Sequence, residues 1–166
     1  MRSSFSRLMP ALAVPAALLA LALPGSAAQA QYHQEIRNDM AVCRGAGPAV
    51  RINVNGIKNG QGLVRAQIYR ATQADWLQSG RWMYRIEVPA QAGSMSFCMP
   101  VPANGSYAVA VRHDVNGNGS TDLRTDGGAM SNNPSINLFN LGRPSVSRTA
   151  FDVSGVTTIN ITMRYM

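Results

Sequence analysis

A run of oxygen-bearing side chains near the middle of the chain could bind a metal ion. Beginning at Asp114 it fits the pattern D-x-N-x-N-G-x-x-D, with Gly119 at the sixth position. Calcium takes six to eight oxygen ligands, and a glycine at this position allows the sharp turn that gathers them around one ion. The sequence therefore predicts a loop for Ca²⁺ or a similar hard cation. Its predicted ligands are Asp114, Asn116, Asn118, the carbonyl group of Ser120, Asp122 and Asp126.

The match to a calcium loop is incomplete at its end. Thr125 stands at the twelfth position, where a bidentate glutamate normally completes the shell, although Asp126 follows it directly. No helical pattern flanks the loop and its charge is low, so we expect a weak site with a Kd of roughly 10⁻⁴–10⁻³ M. The alternative interpretation is a hairpin turn in which asparagine and aspartate side chains bond their own backbone. Both interpretations account for the glycines.

Residues suited to catalysis are few. Beyond residue 30 the chain has two histidines, His33 and His113, and it contains neither a G-x-S-x-G nor an H-E-x-x-H motif. A metal-dependent hydrolase built on His113 and Asp114 would need further ligands, and we treat it as a lesser alternative. No nucleophile has an evident base beside it. The sequence therefore predicts a protein without enzymatic activity.

Aromatic side chains offer a second kind of site. Trp76 and Trp82 lie near one connection, together with Tyr84, and could form a platform on which a sugar ring stacks. The alternative is that these rings cover the open end of a sandwich. A carbohydrate-binding or envelope-polysaccharide-binding module is therefore the main alternative function.

Alternating apolar and polar residues predict strands in most of the chain. Val50, Ile52 and Val54 alternate with polar residues, and the same period of two recurs at 107–112 and 159–165. Asn-Gly dipeptides between such runs favour tight hairpin turns. Weaker strand patterns occupy 62–70, 82–88, 94–100 and 147–153. About seven strands at this spacing predict an all-β sandwich of antiparallel strands.

Two stretches depart from this pattern. Thr72 to Leu77 predicts a short helix at a strand connection. The stretch 115–146 is rich in glycine, asparagine, serine and proline without an apolar period, and it predicts one long loop. Long loops inside compact domains are often functional. We expect this one to form a recognition surface with Ser131, Asn132 and Asn133.

Most basic residues are arginines on the polar positions of the predicted strands. Without residues 1–30 the chain keeps thirteen basic and eight acidic side chains, a net charge of +5. We interpret the strand arginines as a solvated sheet face, with anionic polysaccharide or lipid head groups as candidate partners. They are Arg51, Arg65, Arg85, Arg112 and Arg164.

The first thirty residues have the organisation of a cleavable secretory signal peptide. Arg2 and Arg7 begin it, an apolar stretch covers 8–23, and Ala28-Gln29-Ala30 fits an A-x-A cleavage site. Its prolines and short apolar length argue against a transmembrane anchor, and no cysteine follows the site to carry a lipid. We expect a periplasmic or secreted protein, for which nucleic acid is an improbable partner.

Two cysteines, Cys43 and Cys98, remain after cleavage. An even number of cysteines in an oxidising compartment favours a disulfide, which here closes a loop of about 56 residues, an entropic stabilisation of about 4 kcal/mol. Metal binding or a catalytic thiol is the alternative, although neither cysteine has a ligand partner at the usual spacing. The bridge is expected to tether the segment 31–49 to a sandwich domain at 50–166.

The central residues resemble a known family. The run from Gly105 to Gly119, G-S-Y-A-V-A-V-R-H-D-V-N-G-N-G, resembles the core of the bacterial domain-of-unknown-function family 2141, and Asp126 to Pro134 resembles its glycine-rich segment. The resemblance extends over about 43–166. It implies a transthyretin-like Greek-key sandwich exported by Gram-negative bacteria, and no assigned activity. Similar prealbumin-like modules bind or scaffold, so we expect a binding or scaffolding role in the cell envelope, with an envelope polysaccharide or protein as partner.

Overall fold

The computed structural model describes residues 32–136 and 142–166, so the predicted signal peptide lies outside the described residues. Nearly all the regular structure in these two ranges is β. The strands are β1 (Gln34–Glu35), β2 (Ala49–Ile57), β3 (Leu63–Arg70), β4 (Tyr84–Pro89), β5 (Gly93–Pro100), β6 (Gly105–Asp114), β7 (Gly127–Met130), β8 (Phe151–Val153), β9 (Val156–Thr162) and β10 (Arg164–Tyr165). The helices are a 3₁₀ turn at Val42–Arg44 and α1 at Val146–Thr149. None of the described helices is long and apolar enough to cross a membrane.

The strands form two sheets, which confirms the predicted all-β sandwich. The larger sheet has the order β1-β4-β3-β6-β7-β10, with β8 also paired to β6, and the smaller sheet has the order β5-β2-β9. Most pairs are antiparallel, but β1 runs parallel to β4 and β9 runs parallel to β2. Strand number and direction therefore differ from the expected seven antiparallel strands. The additional strand β1 is two residues long, too short to show a period of two, and the predicted strand 159–165 divides at Met163 into β9 of the smaller sheet and β10 of the larger sheet.

Inward-facing residues of the two sheets fill the core, as the alternation predicts. Val50, Ile52 and Val54 on β2 have no exposed surface, and Phe97 on β5 is equally buried. From the larger sheet, β3, β4 and β6 contribute the opposing apolar side chains. They are Val64, Ala66, Ile68, Ile86, Tyr107, Val109 and Val111. Because successive strand residues point to opposite faces, the residues between these ones face outward.

Three local predictions differ from the structure. The predicted strand 147–153 is helical over Val146–Thr149 and forms a strand only at Phe151–Val153. Thr72 to Leu77 forms hydrogen-bonded turns, in which the amide of Trp76 donates to the carbonyl of Thr72, and the positive φ of 52° at Leu77 ends them. The stretch 115–146, expected as one loop, contains β7. This strand reads Gly-Gly-Ala-Met, and two glycines leave no apolar alternation to detect.

A disulfide joins Cys43 and Cys98, as predicted, with a Cα–Cα distance of 5.9 Å. Cys98 lies on β5, whose single described strand partner is β2, so the bridge fastens the N-terminal segment along a sheet edge. Asn38 strengthens this attachment. Its side chain donates to the Ser96 carbonyl at 2.8 Å and accepts from the Cys98 amide at 3.0 Å.

Candidate functional site

The outer face of the larger sheet is the floor of a groove of about 1110 Å³. Its floor comes from outward-facing residues of β3, β4, β6, β7 and β10. The connection around 77–82 and residues 142–143 form one side, and residues 121–126 form the other. Trp82 from the predicted tryptophan platform and Asp122 and Asp126 from the predicted cation loop thus line a single groove.

An arginine row crosses the floor of this groove. Arg65 on β3 pairs directly with Arg112 on β6, Arg112 pairs with Gly128 on β7, and Gly128 pairs with Arg164 on β10. We call Arg65, Arg112 and Arg164 the arginine row. Like charges opposite each other on adjacent strands destabilise a sheet, so packing alone does not favour this arrangement.

Two more arginines, Arg85 and Arg143, line the same groove. The carboxylates among the described lining residues are Asp122 and Asp126, so five guanidinium groups face two carboxylates. Glu87 forms an ion pair with Arg65, and Glu35 pairs with Arg85 at 3.2 Å. These glutamates are partly or largely exposed, which makes their pairs weak in water. Arg112 pairs with the buried Asp114, whereas Arg143 and Arg164 form no ion pair with a carboxylate of the described residues.

Tyr69 lies where several of these arginines converge. It follows Arg65 and Gln67 on the outward face of β3, and it is buried. Burial raises the pKa of the Tyr69 phenol above its usual value, and the positive charges of Arg85, Arg65 and Arg143 act in the opposite direction. The phenol therefore stays protonated at neutral pH and can serve as a hydrogen-bond donor beside the guanidinium groups.

Gln67 holds the groove wall in place. With its amide oxygen turned toward them, Gln67 accepts from Arg85 Nη2 at 3.1 Å and from Trp82 Nε1 at 3.2 Å. The Arg85 guanidinium also stacks over the Trp82 ring, 4.2 Å from its centroid. These contacts fix Arg85 in the groove, so little side-chain entropy is lost when it binds an anion.

The two glycines of β7 differ in their surroundings. A Cβ atom on Gly127 would lie 2.5 Å from the ring of Tyr165, so close packing requires glycine there. A Cβ atom on Gly128 would meet no atom within 4 Å, and Gly128 does not have a positive φ. Neither packing nor backbone conformation therefore explains Gly128. It leaves bare backbone between Arg112 and Arg164.

The Asp114 loop adjoins the arginine row at its middle member, Arg112. The Oδ2 atom of Asp114 accepts from the amide of Gly119 at 2.9 Å, and this contact closes the loop. Asn116 and Asn118 each accept a hydrogen bond from the amide two residues on and donate to Asp122 Oδ2 at 2.8 Å. The side chains of the loop therefore bond its own backbone, as in the hairpin-turn interpretation.

Arg112 places a positive charge beside this loop. Its Nη2 atom donates to Asp114 Oδ2 and to the Gly119 carbonyl, both at 3.0 Å, and Nη1 donates to Thr121 at 3.1 Å. The guanidinium thus neutralises the carboxylate, of which only 3% of the side chain is exposed. Asp114 and Arg112 together join the loop to the arginine row.

The predicted metal ligands lie close together but their oxygens are largely engaged. Asp126 accepts from the amides of Val115 at 3.1 Å and Asp122 at 3.0 Å. Asp114 Oδ1, in contrast, is buried and has no hydrogen-bond partner. Across residues 32–136 and 142–166, no group of three or more His, Cys, Asp or Glu side chains could hold a metal ion. Any ion here would therefore need amide and carbonyl oxygens, which Ca²⁺ accepts.

His113 faces the core and not the groove. It is fully buried, its Nε2 atom lies 2.7 Å from the Gln61 carbonyl, and its Nδ1 atom lies 2.7 Å from the Tyr165 hydroxyl. The Gln61 carbonyl accepts from Nε2–H, and Nδ1 is the partner of the Tyr165 hydroxyl. Lys58 donates its amide to the same hydroxyl at 3.0 Å. Both ring nitrogens are thus committed to holding β10 and the 58–61 turn against β6.

The two tryptophans expose little ring surface. Trp76 is buried at 6% exposure and donates its indole N–H to the Pro144 carbonyl at 2.8 Å. Trp82 is 9% exposed, with Arg85 over its ring and the His33 ring 4.9 Å away. A stacked sugar needs an open ring face, so the arginines are the more accessible recognition groups in this groove.

Ser131, Asn132 and Asn133 fasten the segment after β7. Ser131 is buried and its hydroxyl accepts from the Val109 amide at 3.0 Å and donates to the Thr149 carbonyl at 2.5 Å. Asn132 donates to a carbonyl beside α1. Asn133 accepts from the Thr162 amide at 2.7 Å, on β9. None of these three residues is among the described lining of the groove.

Sequence reasoning missed the arginine row. The alternation identified outward-facing arginines but interpreted them as a dispersed solvated face. Four of them, Arg65, Arg85, Arg112 and Arg164, line one groove, while Arg51 lies on β2 in the other sheet. The row could have been recognised from arginines at paired positions of adjacent strands, but these pairings are known only once the strand order is known.

Fold and site together define an all-β sandwich domain with a cationic groove on one sheet. The chain belongs to DUF2141, a family of uncharacterised proteins conserved in bacteria, whose model matches residues 52–160. Comparison with curated proteins and with solved structures gave no significant match.

Proposed function

We propose that this chain is an exported, non-enzymatic binding domain of the bacterial cell envelope, and that it holds an anionic ligand in the groove of its larger sheet. The observation that carries the proposal is the convergence of five arginines from separate strands and connections on one concave surface. Guanidinium groups match carboxylate and phosphate oxygens with paired donors, and these charge-assisted hydrogen bonds are stronger than neutral ones.

Export is part of this proposal because of the chain's chemistry. The N-terminal pattern of a signal peptide and the disulfide between Cys43 and Cys98 both fit an oxidising compartment outside the cytoplasm. In that compartment the anionic molecules within reach are polysaccharides, lipid head groups and other envelope proteins.

A binding role is better supported than the hydrolase alternative. His113 is enclosed by the core and uses both ring nitrogens within the domain, and Asp114 is paired with Arg112. A metal-dependent hydrolase built on His113 would need its ring nitrogens free to bind an ion or to move a proton. The groove instead presents donors and positive charge, which suit capture of an anion.

Neutralising two groove arginines tests the binding proposal. We expect the double variant Arg65→Gln/Arg164→Gln to bind anionic envelope ligands at least tenfold more weakly, because each lost charge-assisted hydrogen bond is worth about 1.5–3 kcal/mol. Binding is measured by calorimetry at low salt with purified acidic polysaccharide and with phosphatidylglycerol vesicles. The matched control is Arg51→Gln, which removes the same charge from the other sheet and should bind like wild type. Equal binding by wild type and the double variant would refute the proposal that the groove is the binding site.

The buried oxygen of Asp114 favours a second proposal for the adjoining loop. We propose that 114–126 forms a weak Ca²⁺ site, since Arg112 contacts Oδ2 and leaves the buried Oδ1 without a partner. Neutral amide and carbonyl oxygens from Asn116, Asn118 and Ser120 would complete the shell. Weak affinity follows from the competing guanidinium charge and the low count of carboxylates.

Thermal unfolding tests the calcium proposal. With a Kd near 1 mM, 10 mM Ca²⁺ should stabilise the native state by about 1.4 kcal/mol and raise the Tm by a few degrees. The control is Asp122→Asn, which keeps the loop length but weakens a predicted ligand and should reduce the shift. An unchanged Tm between chelator and 10 mM Ca²⁺ would show that the loop closes on its own hydrogen bonds without an ion.

A further inference from the structure

We infer that the groove takes an acidic polysaccharide bearing carboxylate groups, laid across the strands along the arginine row and over Gly128. This inference rests on the proposed function and specifies the ligand class. The arginine row provides the positive charge. Because Gly128 has no side chain, the ligand has room to pass between Arg112 and Arg164.

The spacing of the arginine row favours a chain with repeated charges over a single small anion. Neighbouring strands lie about 4.8 Å apart. Arg65 and Arg112 are therefore about one strand spacing apart, and Arg164 lies two spacings beyond Arg112, because β7 runs between them. One carboxylate can bridge two adjacent guanidinium groups at most. A polymer with a carboxylate on successive residues can engage the whole row.

Gly128 gives the strongest sign of a ligand path. Its Cα lies in the row between Arg112 and Arg164, and the space above it is open. Gly127 beside it is explained by the Tyr165 ring, whereas no described atom or backbone angle requires glycine at 128. Glycine in a strand interior weakens the strand, and it is characteristic of places where a ligand approaches the backbone closely.

The remaining lining suits a hydrated sugar chain. Polar side chains that bond hydroxyl groups stand among the arginines. They are Gln67, Gln78, Ser79 and Thr121. The surface is concave, whereas a bilayer surface is flat and would contact only the rim. Large exposed apolar side chains in the described ranges are few, and of these Leu123 and Met166 lie at the groove.

The direct test blocks the passage without removing charge. Oligogalacturonates of two to eight units are the carboxylate probe, and neutral dextran, inorganic phosphate and phosphatidylglycerol vesicles are the comparison ligands. We expect wild type to bind oligogalacturonate with affinity that rises with chain length, and to ignore dextran. Gly128→Val should weaken this binding at least tenfold, because its side chain would stand between Arg112 and Arg164. Arg51→Gln should bind like wild type.

The stability of Gly128→Val is measured alongside binding, and we expect an unchanged or higher Tm because valine favours strands. Should that variant fail to fold, Arg164→Gln, at an exposed strand end, replaces it, and we expect it to weaken oligogalacturonate binding as well. Full binding by a folded Gly128→Val, or affinity independent of chain length, would overturn the inference. A different outcome is that wild type binds the vesicles and not the oligogalacturonates, with binding weakened by Arg65→Gln/Arg164→Gln. That result would overturn the inference about the ligand class, while the proposed function stands. No binding of any anionic probe would overturn both.

Discussion

Replacing Arg112 with glutamine is expected to lower the free energy of unfolding by about 3–5 kcal/mol, the usual cost of removing one partner of a buried ion pair. Asp114 has 3% of its side chain exposed, and Arg112 is its only cationic partner among the described residues. Without the guanidinium, one carboxylate oxygen keeps the Gly119 amide and the other remains buried and unpartnered. The Gly119 carbonyl and the Thr121 hydroxyl also lose their donor.

Urea denaturation of the purified domain measures this effect, with Arg164→Gln as the control. Arg164 belongs to the same row but is exposed, and it donates to the Asn133 carbonyl at a longer 3.3 Å, so its loss should cost well under 1 kcal/mol. The double variant Arg112→Gln/Asp114→Asn should recover part of the lost stability, because it removes the uncompensated charge. A loss below 1 kcal/mol for Arg112→Gln would show that water already solvates Asp114, and that Arg112 does not hold the loop.

Arg112 and Asp114 also show how much of the site could be predicted from the sequence. The run beginning at Asp114 was recognisable because side-chain oxygens at alternate positions and a glycine at a fixed offset are local properties. That Arg112 would supply the positive charge was not recognisable. A residue two positions before Asp114 on a strand shares its face, but whether its guanidinium folds back over the loop depends on the loop's own path.

The fold was predicted from the same kind of local signal. Val50, Ile52 and Val54 identified β2 because one face of a half-buried strand must be apolar. The strand β7 gave no signal, since Gly127 is dictated by contact with Tyr165, far away in the sequence. A two-residue strand such as β1 is defined by its partner and has no pattern of its own.

The groove needed information that the sequence does not carry locally. Arg51 and Arg65 stand on equivalent polar positions of neighbouring strands along the chain, yet β2 joins the smaller sheet and β3 the larger one. Strand order decides which arginines become neighbours. Whether the same arginines line one groove or are dispersed over a solvated face therefore depends on long-range strand pairing. The amino-acid composition is the same in either case.

Removing the disulfide is expected to cost about 2–5 kcal/mol, the usual range for a native bridge in a small domain. Cys43 and Cys98 are both buried and 55 residues apart, so the bridge restrains a large loop of the unfolded chain. The double variant Cys43→Ser/Cys98→Ser should show the loss in urea denaturation. Wild type in reducing agent should match it, and reducing agent should leave the variant unchanged.

Removing the disulfide should lower stability without weakening ligand binding in the groove. The bridge lies on β5 of the smaller sheet, while the arginine row lies on β3, β6 and β10 of the larger sheet. On the groove side, β1 keeps its own attachment through pairing with β4 and the hydrogen bond from Tyr32 to Asp75 at 3.0 Å. Well below its unfolding midpoint, the reduced protein should therefore bind oligogalacturonate with wild-type affinity. Loss of binding together with the bridge, in protein that is still folded, would mean that the N-terminal segment shapes the groove through β4.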